Sequence, residues 1–245
     1  MNSVCDYAGY DYKKSFWDDV DRRYEDLIEH ETIAATLAQY PIPNATLMDL
    51  GCGFGRLFDA YYSHARQFIL LDYATNMLEQ ATERLSKYSD QITFIQGDAR
   101  SVPLPDASVD IIVSIRTLHH LPDYERFISE LHRLLRPGGI VVFEIPNFRH
   151  ILNIGRFLMG RQANPFKRHV SRVGSFSNFH PQMIIDFVNR VGFGIEDTIN
   201  TSFFRSGWLK KNVSPATLVR WDRRLQRVLS WTNLTPSIYL VCRKK

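Results

Sequence analysis

Three glycines at alternate positions, Gly51, Gly53 and Gly55, stand between an apolar run and a segment with helical character. Residues 47–50 predict a strand and residues 56–63 predict a helix. Glycine permits positive φ and close approach of a ligand because it has no Cβ, and a helix start offers N–H groups without partners. The stretch therefore predicts a site for a nucleotide-like ligand. The alternative is a strand-to-helix turn of an ordinary α/β domain.

An acidic residue accompanies each of the first two predicted strands. Asp49 precedes the glycines, and Asp72 directly follows the apolar run 67–71. Asp72 comes about 20 residues after the glycines, the sequence separation at which βαβ nucleotide-binding units place a carboxylate on ribose hydroxyls. The two signals support each other and favour an adenosine-containing ligand.

The glycine spacing separates two classes of cofactor. Nicotinamide and flavin fingerprints read G-x-G-x-x-G or G-x-G-x-x-A, whereas here Arg56 takes the last position and the third glycine comes one residue early. The spacing disfavours a dinucleotide. The pattern D-x-G-x-G-x-G, followed by an acid closing the next strand, resembles the class I S-adenosylmethionine-dependent methyltransferases, of the methyltransferase type 11-like kind.

Three later stretches are similar to the same family: G-D-A at 97–99, V-P-L-P-D-A-S-V-D at 102–110 and L-R-P-G-G at 135–139. The resemblance implies S-adenosyl-L-methionine as cofactor, with Tyr73 beside the adenine ring and Asp98 near its amino group. The cofactor-binding residues that it implies are Asp49, Gly51, Cys52, Gly53, Gly55, Asp72, Tyr73, Met77, Asp98, Ala99 and Ser114.

Strands alternating with helices over residues 45–145 predict a parallel sheet wound on both faces, with ligands at the carboxyl ends of its strands. The resemblance implies an α/β, Rossmann-like sheet of seven mostly parallel strands in the order 3-2-1-4-5-7-6. We expect one methyltransferase domain over 1–245. Its parts are an N-terminal helical lid (1–44), a cofactor-binding core (45–145), insertions after strands 5 and 6 on the substrate side (146–236) and a last strand (237–245).

Composition is that of a globular protein, with 44% hydrophobic and 23% charged residues. There is no apolar run long enough to span a bilayer and the first residues do not resemble a signal peptide, so we expect a cytoplasmic protein. Three cysteines without ligand spacing indicate neither a disulfide framework nor a metal site.

The net charge of +4 is unevenly distributed. Residues 1–145 contain 13 Lys and Arg against 22 Asp and Glu, a balance of −9, whereas residues 146–245 contain 17 against 4, a balance of +13. The basic part predicts an anionic partner or, equally, a solvated face docked on an acidic domain.

Residues outside the glycine region are candidates for acceptor binding and catalysis. His119 and His120 follow the fourth strand and could act as general base for a hydroxyl, phenol or carbon acid, or could be structural. Arg116 could pair with a substrate anion or form an interdomain salt bridge. The resemblance implies a lid over the cofactor, for which the aromatic candidates are Tyr10, Tyr12, Phe16 and Trp17.

The methyl acceptor is left open by the sequence. Two basic amphipathic segments in the C-terminal part suit a lipid or quinone reached at a membrane surface, or an anionic metabolite. A tRNA-modifying methyltransferase is a less favoured alternative because no RNA-binding module is recognisable. A nicotinamide-dependent oxidoreductase and a non-catalytic cofactor-binding protein are the alternatives from other classes.

Overall fold

The computed structural model describes residues 22–121, 123–173 and 176–245. The four aromatic lid candidates Tyr10, Tyr12, Phe16 and Trp17 lie outside the described residues. Their role over the cofactor therefore stays a prediction.

A seven-stranded sheet forms the centre of the molecule. Its strands are β1 (Thr46–Leu50), β2 (Gln67–Asp72), β3 (Ile92–Gln96), β4 (Val109–Ser114), β5 (Leu135–Pro146), β8 (Phe193–Thr201) and β9 (Ser237–Lys244), and a separate hairpin pairs β6 (Val170–Val173) with β7 (Phe176–Phe179).

The sheet order is β3-β2-β1-β4-β5-β9-β8. The first five strands pair in parallel, and β9 pairs antiparallel with both β5 and β8. Counted within this sheet, the order is 3-2-1-4-5-7-6, which confirms the prediction. The inner strands read as near-continuous apolar runs because both of their faces are buried.

Helices cover both faces of this sheet, as predicted. They are α1 (Arg23–Gln39), α2 (Phe58–Tyr61), α3 (Thr75–Arg84), α4 (Tyr124–Leu134), α5 (Ile151–Leu158), α6 (Pro181–Val191), α7 (Gly207–Asn212) and α8 (Pro215–Leu229). Phe127 and Ile184 belong to the core on one face, and Ile33 and Phe58 belong to the core on the other.

Two helices differ from the sequence prediction. The predicted helix 56–63 is one α-helical turn, α2, followed by a 3₁₀ turn at Tyr62–His64, because the residues before it remain in turns. One of the basic amphipathic segments, from about Ser214 to Trp231, predicts a helix with Leu218, Trp221, Leu225, Val228 and Leu229 on its apolar face. It forms α8, but this face is only partly buried: Leu218 is buried, whereas Trp221 and Val228 are exposed. The buried face instead includes Asp222, which accepts a hydrogen bond from the Tyr24 hydroxyl of α1.

Within the described ranges, no helix combines the length and apolar character needed to cross a membrane.

Candidate functional site

A cavity opens where β1, β2, β3 and β4 end. The turns after these four strands form its wall, which brings together residues far apart in the chain. Nine of the predicted cofactor-binding residues line it: Asp49, Gly51, Cys52, Gly53, Asp72, Tyr73, Met77, Asp98 and Ala99. The other two, Gly55 and Ser114, lie outside the lining.

The three glycines have positive φ but different surroundings. A Cβ on Gly51 would lie 2.2 Å from Thr117 Oγ1, and one on Gly55 would lie 2.8 Å from Leu85 Cδ1. A Cβ on Gly53 would have no atom within 4 Å. Gly51 and Gly55 thus allow close packing of the protein on itself, whereas Gly53 presents bare main chain to the cavity.

Asp72 fixes the glycine turn from the neighbouring strand. Its carboxylate accepts hydrogen bonds from the N–H of Gly53 at 2.8 Å and of Ala74 at 3.0 Å. Burial raises the pKa of Asp72, and these N–H groups oppose that shift. A carboxylate held beside open main chain fits a ligand that carries hydroxyl donors, such as a ribose.

Asp49 is a second buried carboxylate in the same wall. It accepts a hydrogen bond of 2.7 Å from the Tyr61 hydroxyl, and burial raises its pKa to about 7. Burial also raises the pKa of the neighbouring Cys52 thiol, so this cysteine is a neutral, unreactive wall residue. A cationic ligand in the cavity would favour the ionised form of both carboxylates.

The end of β3 contributes Asp98, whose carboxylate is paired with Arg100 at 2.7 Å. Hydrogen bonding from Arg100 lowers the pKa of Asp98, so this acid is ionised. Tyr73, with 45% of its surface exposed, lies at the mouth of the cavity. The Ser114 hydroxyl is buried and donates a hydrogen bond of 2.6 Å to Leu50 O, which links β4 to the neighbouring strand β1.

The two histidines occupy different positions. His120 lines the cavity and His119 does not. Their ring centroids are 3.9 Å apart, and both rings contact Phe176 of the β6–β7 hairpin. Burial lowers the pKa of both imidazoles, that of His120 to about 4, so both are neutral at neutral pH. The hairpin contact was not foreseeable from the local sequence.

An ion-pair cluster joins α1 to the cavity. Glu29, which is buried on α1, pairs with Arg56 and with Arg116 at 2.5 Å each. Burial opposes ionisation of Glu29, but the two arginines outweigh it and lower its pKa. Both arginines line the cavity. Arg116 thus forms a salt bridge with Glu29 of α1, and its pairing with a substrate anion stays a prediction.

Sequence reasoning missed Glu29 and the role of Arg56. The available signal was the spacing of Glu25 and Glu29, which puts two acids on one helix face among apolar residues. Among the described residues, no group of three or more His, Cys, Asp or Glu is placed to hold a metal ion.

The fold and cavity define a class of protein: a Rossmann-like α/β domain with its ligand cavity at the carboxyl ends of the parallel strands. Residues 48–143 match the family model described as "Methyltransferase domain". Residues 48–143 therefore belong to a methyltransferase domain, and S-adenosyl-L-methionine is the cofactor of this class.

The chain is similar to a probable S-adenosylmethionine-dependent methyltransferase of Mycolicibacterium smegmatis, with 31% identity over 170 residues, 69% of this chain and 60% of that protein. A demethylmenaquinone methyltransferase of Lysinibacillus sphaericus is 36% identical over 87 residues, 33% of this chain and 37% of that protein. The chain thus spans 60% and 37% of the lengths of these two curated relatives, less than two thirds in both cases.

Among solved structures, the chain resembles a Thermotoga maritima S-adenosylmethionine-dependent methyltransferase described as a possible histamine N-methyltransferase. The TM-score is 0.65 at 18% identity, covering 98% of each chain. At this identity the likeness concerns the fold alone.

Proposed function

We propose that this protein transfers the methyl group of S-adenosylmethionine to a small-molecule acceptor. The observation that carries the proposal is the meeting of open main chain at Gly53 with the Asp72 carboxylate in one cavity. In the proposed arrangement Asp72 binds the ribose hydroxyls, Tyr73 and Met77 flank the adenine, and Asp98 accepts from its amino group.

The sulfonium of the cofactor supplies an already activated methyl group, so the protein mainly has to hold the acceptor atom in line with it. Orientation of this kind offsets roughly 7–11 kcal/mol of a barrier. Buried Cys52 and the glycine turn supply shape, and the carboxylates of Asp49 and Asp72 supply negative potential.

We propose His120 as the proton acceptor if the acceptor atom is a hydroxyl, phenol or carbon acid. It lines the cavity and is neutral at neutral pH, two requirements for a general base. His119, whose ring lies tilted against that of His120 with the centroids 3.9 Å apart, is proposed to position that ring. Replacement His120→Asn should lower kcat with little change in KM for the cofactor and should alter the pH dependence of kcat. His119→Asn should change both kcat and its pH dependence less. Equal loss in both variants would contradict this assignment.

Cofactor binding is tested by calorimetric titration with S-adenosylhomocysteine, with NADH as the comparison ligand. We expect binding of S-adenosylhomocysteine and not of NADH. In thermal unfolding, S-adenosylhomocysteine at 100 times its Kd should stabilise the folded protein by about 2.7 kcal/mol. Stabilisation by NADH alone would replace the proposal with an oxidoreductase. Binding without methyl transfer to any acceptor would favour a non-catalytic cofactor-binding protein.

The acceptor class is tested by incubating the protein and labelled cofactor with cell extract and separating lipid, RNA and small-molecule pools. We expect label in lipids, quinones or small anions. Label in the RNA pool would instead favour the tRNA-modifying alternative.

We further propose that the segment after β5 touches an anionic membrane surface, where a lipid or quinone acceptor would be reached. No Asp or Glu occurs between Glu144 and Asp186, while this segment contains six Lys or Arg: Arg149, Arg156, Arg161, Lys167, Arg168 and Arg172. Leu158 and Met159, at the end of α5, are 78% and 61% exposed. Apolar side chains ringed by cations are typical of interfacial segments.

Sedimentation with vesicles tests this surface. We expect binding to phosphatidylglycerol but not to phosphatidylcholine vesicles, weakened by salt and by Leu158→Asp. Leu27→Asp is the matched control, because Leu27 is a partly exposed leucine on α1. Equal binding of both vesicle types, or equal loss in both variants, would contradict the proposal.

A further inference from the structure

Buried polar atoms that lack a hydrogen-bond partner gather at one edge of the sheet. Four of them are potential donors: His150 Nδ1, Ser202 Oγ, Arg205 Nε and the Tyr239 hydroxyl, here called the donor cluster. None of these four atoms has a partner among the described residues. A buried donor left unpaired costs about 1–3 kcal/mol, more when it is charged, so such a concentration indicates a polar ligand.

Sheet register explains why these residues meet. Pro146 of β5 and Thr201 of β8 both align with Ser237, the first residue of β9. The two strands therefore end at the same level on either side of β9. His150 and Ser202 follow these two ends, and Arg205 lies three residues beyond Ser202. Tyr239 lies opposite Glu144 in the same strand pair.

Helix α1 ties this edge to the cofactor cavity. Arg205 Nη1 lies 3.7 Å from Glu25 Oε1, and Arg116 Nε donates to Glu29 Oε1 at 2.8 Å. Glu25 and Glu29 are one helical turn apart, so the two arginines lie side by side along α1. Because Arg116 lines the cavity, Glu25 and Glu29 connect the donor cluster to the cavity wall.

Several cationic side chains converge on this edge. Burial and the nearby Arg116 lower the pKa of Arg205, and burial together with Arg205 lowers that of His150 to about 4. Glu25 is shared by Arg22, Arg205 and Lys210. Glu144 already accepts from the Arg116 N–H and from the Ser237 hydroxyl. Three cations thus share the single carboxylate of Glu25, while Glu29 and Glu144 act on Arg205 from farther away.

We propose that the donor cluster binds an oxyanion, a carboxylate or phosphate group carried by the methyl acceptor. Guanidinium and hydroxyl donors recognise such groups through charge-assisted hydrogen bonds. The inference rests on the proposed methyl transfer and specifies the chemical class of the acceptor for that site.

Anion binding is measured on protein saturated with S-adenosylhomocysteine, so that the cofactor cavity is filled. Inorganic phosphate and acetate are titrated against chloride at constant ionic strength, followed by calorimetry and thermal unfolding. We expect saturable binding of at least one anion. Phosphate alone would indicate a phosphorylated acceptor, and acetate alone a carboxylic acid.

Two variants and one control assign the site. Tyr239→Phe removes a hydroxyl that has no partner among the described residues, so stability should be retained while anion affinity falls roughly tenfold, the value of one hydrogen bond to a charged group. Arg205→Gln should lower the affinity for the anion at least as much. Arg223→Gln, which alters an exposed arginine paired with Glu31 on α1, should leave the anion affinity unchanged.

Other outcomes overturn the inference. If S-adenosylhomocysteine binds but neither anion binds better than chloride, the donor cluster holds water and only this inference fails. If S-adenosylhomocysteine itself does not bind, the proposed function fails. A tenfold loss of S-adenosylhomocysteine affinity in Arg205→Gln would assign this arginine to the cofactor and contradict an acceptor site.

Discussion

Gly51, Gly53 and Gly55 are one residue type under three different constraints. The neighbours of Gly51 and Gly55 are protein atoms that a Cβ would strike, whereas Gly53 faces open space. A substitution at Gly53 is therefore the one that separates ligand contact from packing.

We predict that Gly53→Val weakens S-adenosylhomocysteine binding by roughly ten- to a hundredfold, the effect of about 1–3 kcal/mol of overpacking against a bound ligand. Gly138→Val is the matched control, because Gly138 also has positive φ and open surroundings but lies at the opposite end of the sheet. Both variants should lose about 1–3 kcal/mol of stability from backbone strain. Calorimetry checks the affinity; equal affinities in the two variants would contradict the role of Gly53.

The Asp72 carboxylate is proposed to bind the ribose hydroxyls of the cofactor, so its removal should change cofactor affinity. Asp72→Ala should weaken S-adenosylhomocysteine binding by about ten- to a hundredfold, since hydrogen bonds to a charged group contribute about 1.5–3 kcal/mol. Asp59→Ala removes an exposed carboxylate of α2 and should leave affinity unchanged. Unchanged affinity in Asp72→Ala would mean that another carboxylate binds the ribose.

At the scale of elements, α1 is held to the cavity by charge as well as by apolar packing. Its buried face carries Glu25 and Glu29 beside Ile28 and Ile33. Glu29 reaches Arg56 after β1 and Arg116 after β4, so one side chain spans the turns of two strands. Arg116 also has a positive φ of 57°, a conformation held by this pairing and by its N–H bond to Glu144.

We predict that Glu29→Gln lowers the free energy of unfolding by about 3–5 kcal/mol, because it removes the buried carboxylate that Arg116 and Arg56 share and leaves Arg56 paired with Asp26 at the edge of the cluster. Cofactor affinity should fall with it, since both arginines line the cavity. Glu31→Gln is the control: this exposed acid of the same helix pairs with exposed Arg223 and should cost at most about 1 kcal/mol. Urea unfolding of both variants measures the difference, and equal costs would contradict the anchoring role.

For the whole molecule, buried acids and buried histidines give opposing pH dependences. Burial raises the pKa of Asp49 to about 7 and of Asp222 to about 6, so the stability they contribute is present at low pH and is lost as pH rises. Burial lowers the pKa of His120 and His150 to about 4, so their contribution is present at neutral pH and is lost as pH falls. The wild-type profile is therefore expected to be shallow.

The contribution of Asp49 becomes visible by difference. Relative to wild type, Asp49→Asn should gain stability as pH rises from 4 to 7, by up to about 1.4 kcal/mol per pH unit, and change no further above pH 8. Urea unfolding of the ligand-free protein at several pH values measures this. Asp59→Asn, at an exposed site, should follow the wild type, and a pH-independent difference for Asp49→Asn would contradict its raised pKa.

Local patterns were sufficient to predict a parallel sheet and the position of the cavity, whereas the strand order was implied by the family resemblance. Apolar runs ending in Asp72 or in the G-D-A turn at 97–99 predict parallel strands, and parallel strands bring their carboxyl ends to one edge. Roles that depend on distant partners were not predictable. Ser114 has the position of a ligand contact but bonds Leu50, and Asp222 lies on a helix face that its sequence marks as polar.

The sequence by itself determined the class of domain, the sheet and the turn that approaches the cofactor, because glycine spacing and strand periodicity are properties of neighbouring residues. Only the tertiary structure decided which charges pair and which buried donors remain without partners. The residues concerned, Glu29, Arg116, Arg205 and Tyr239, lie in four separate parts of the chain. The energies of charged and hydrogen-bonding groups depend on burial and on the distances between them, and neither can be read from the neighbouring residues in the sequence.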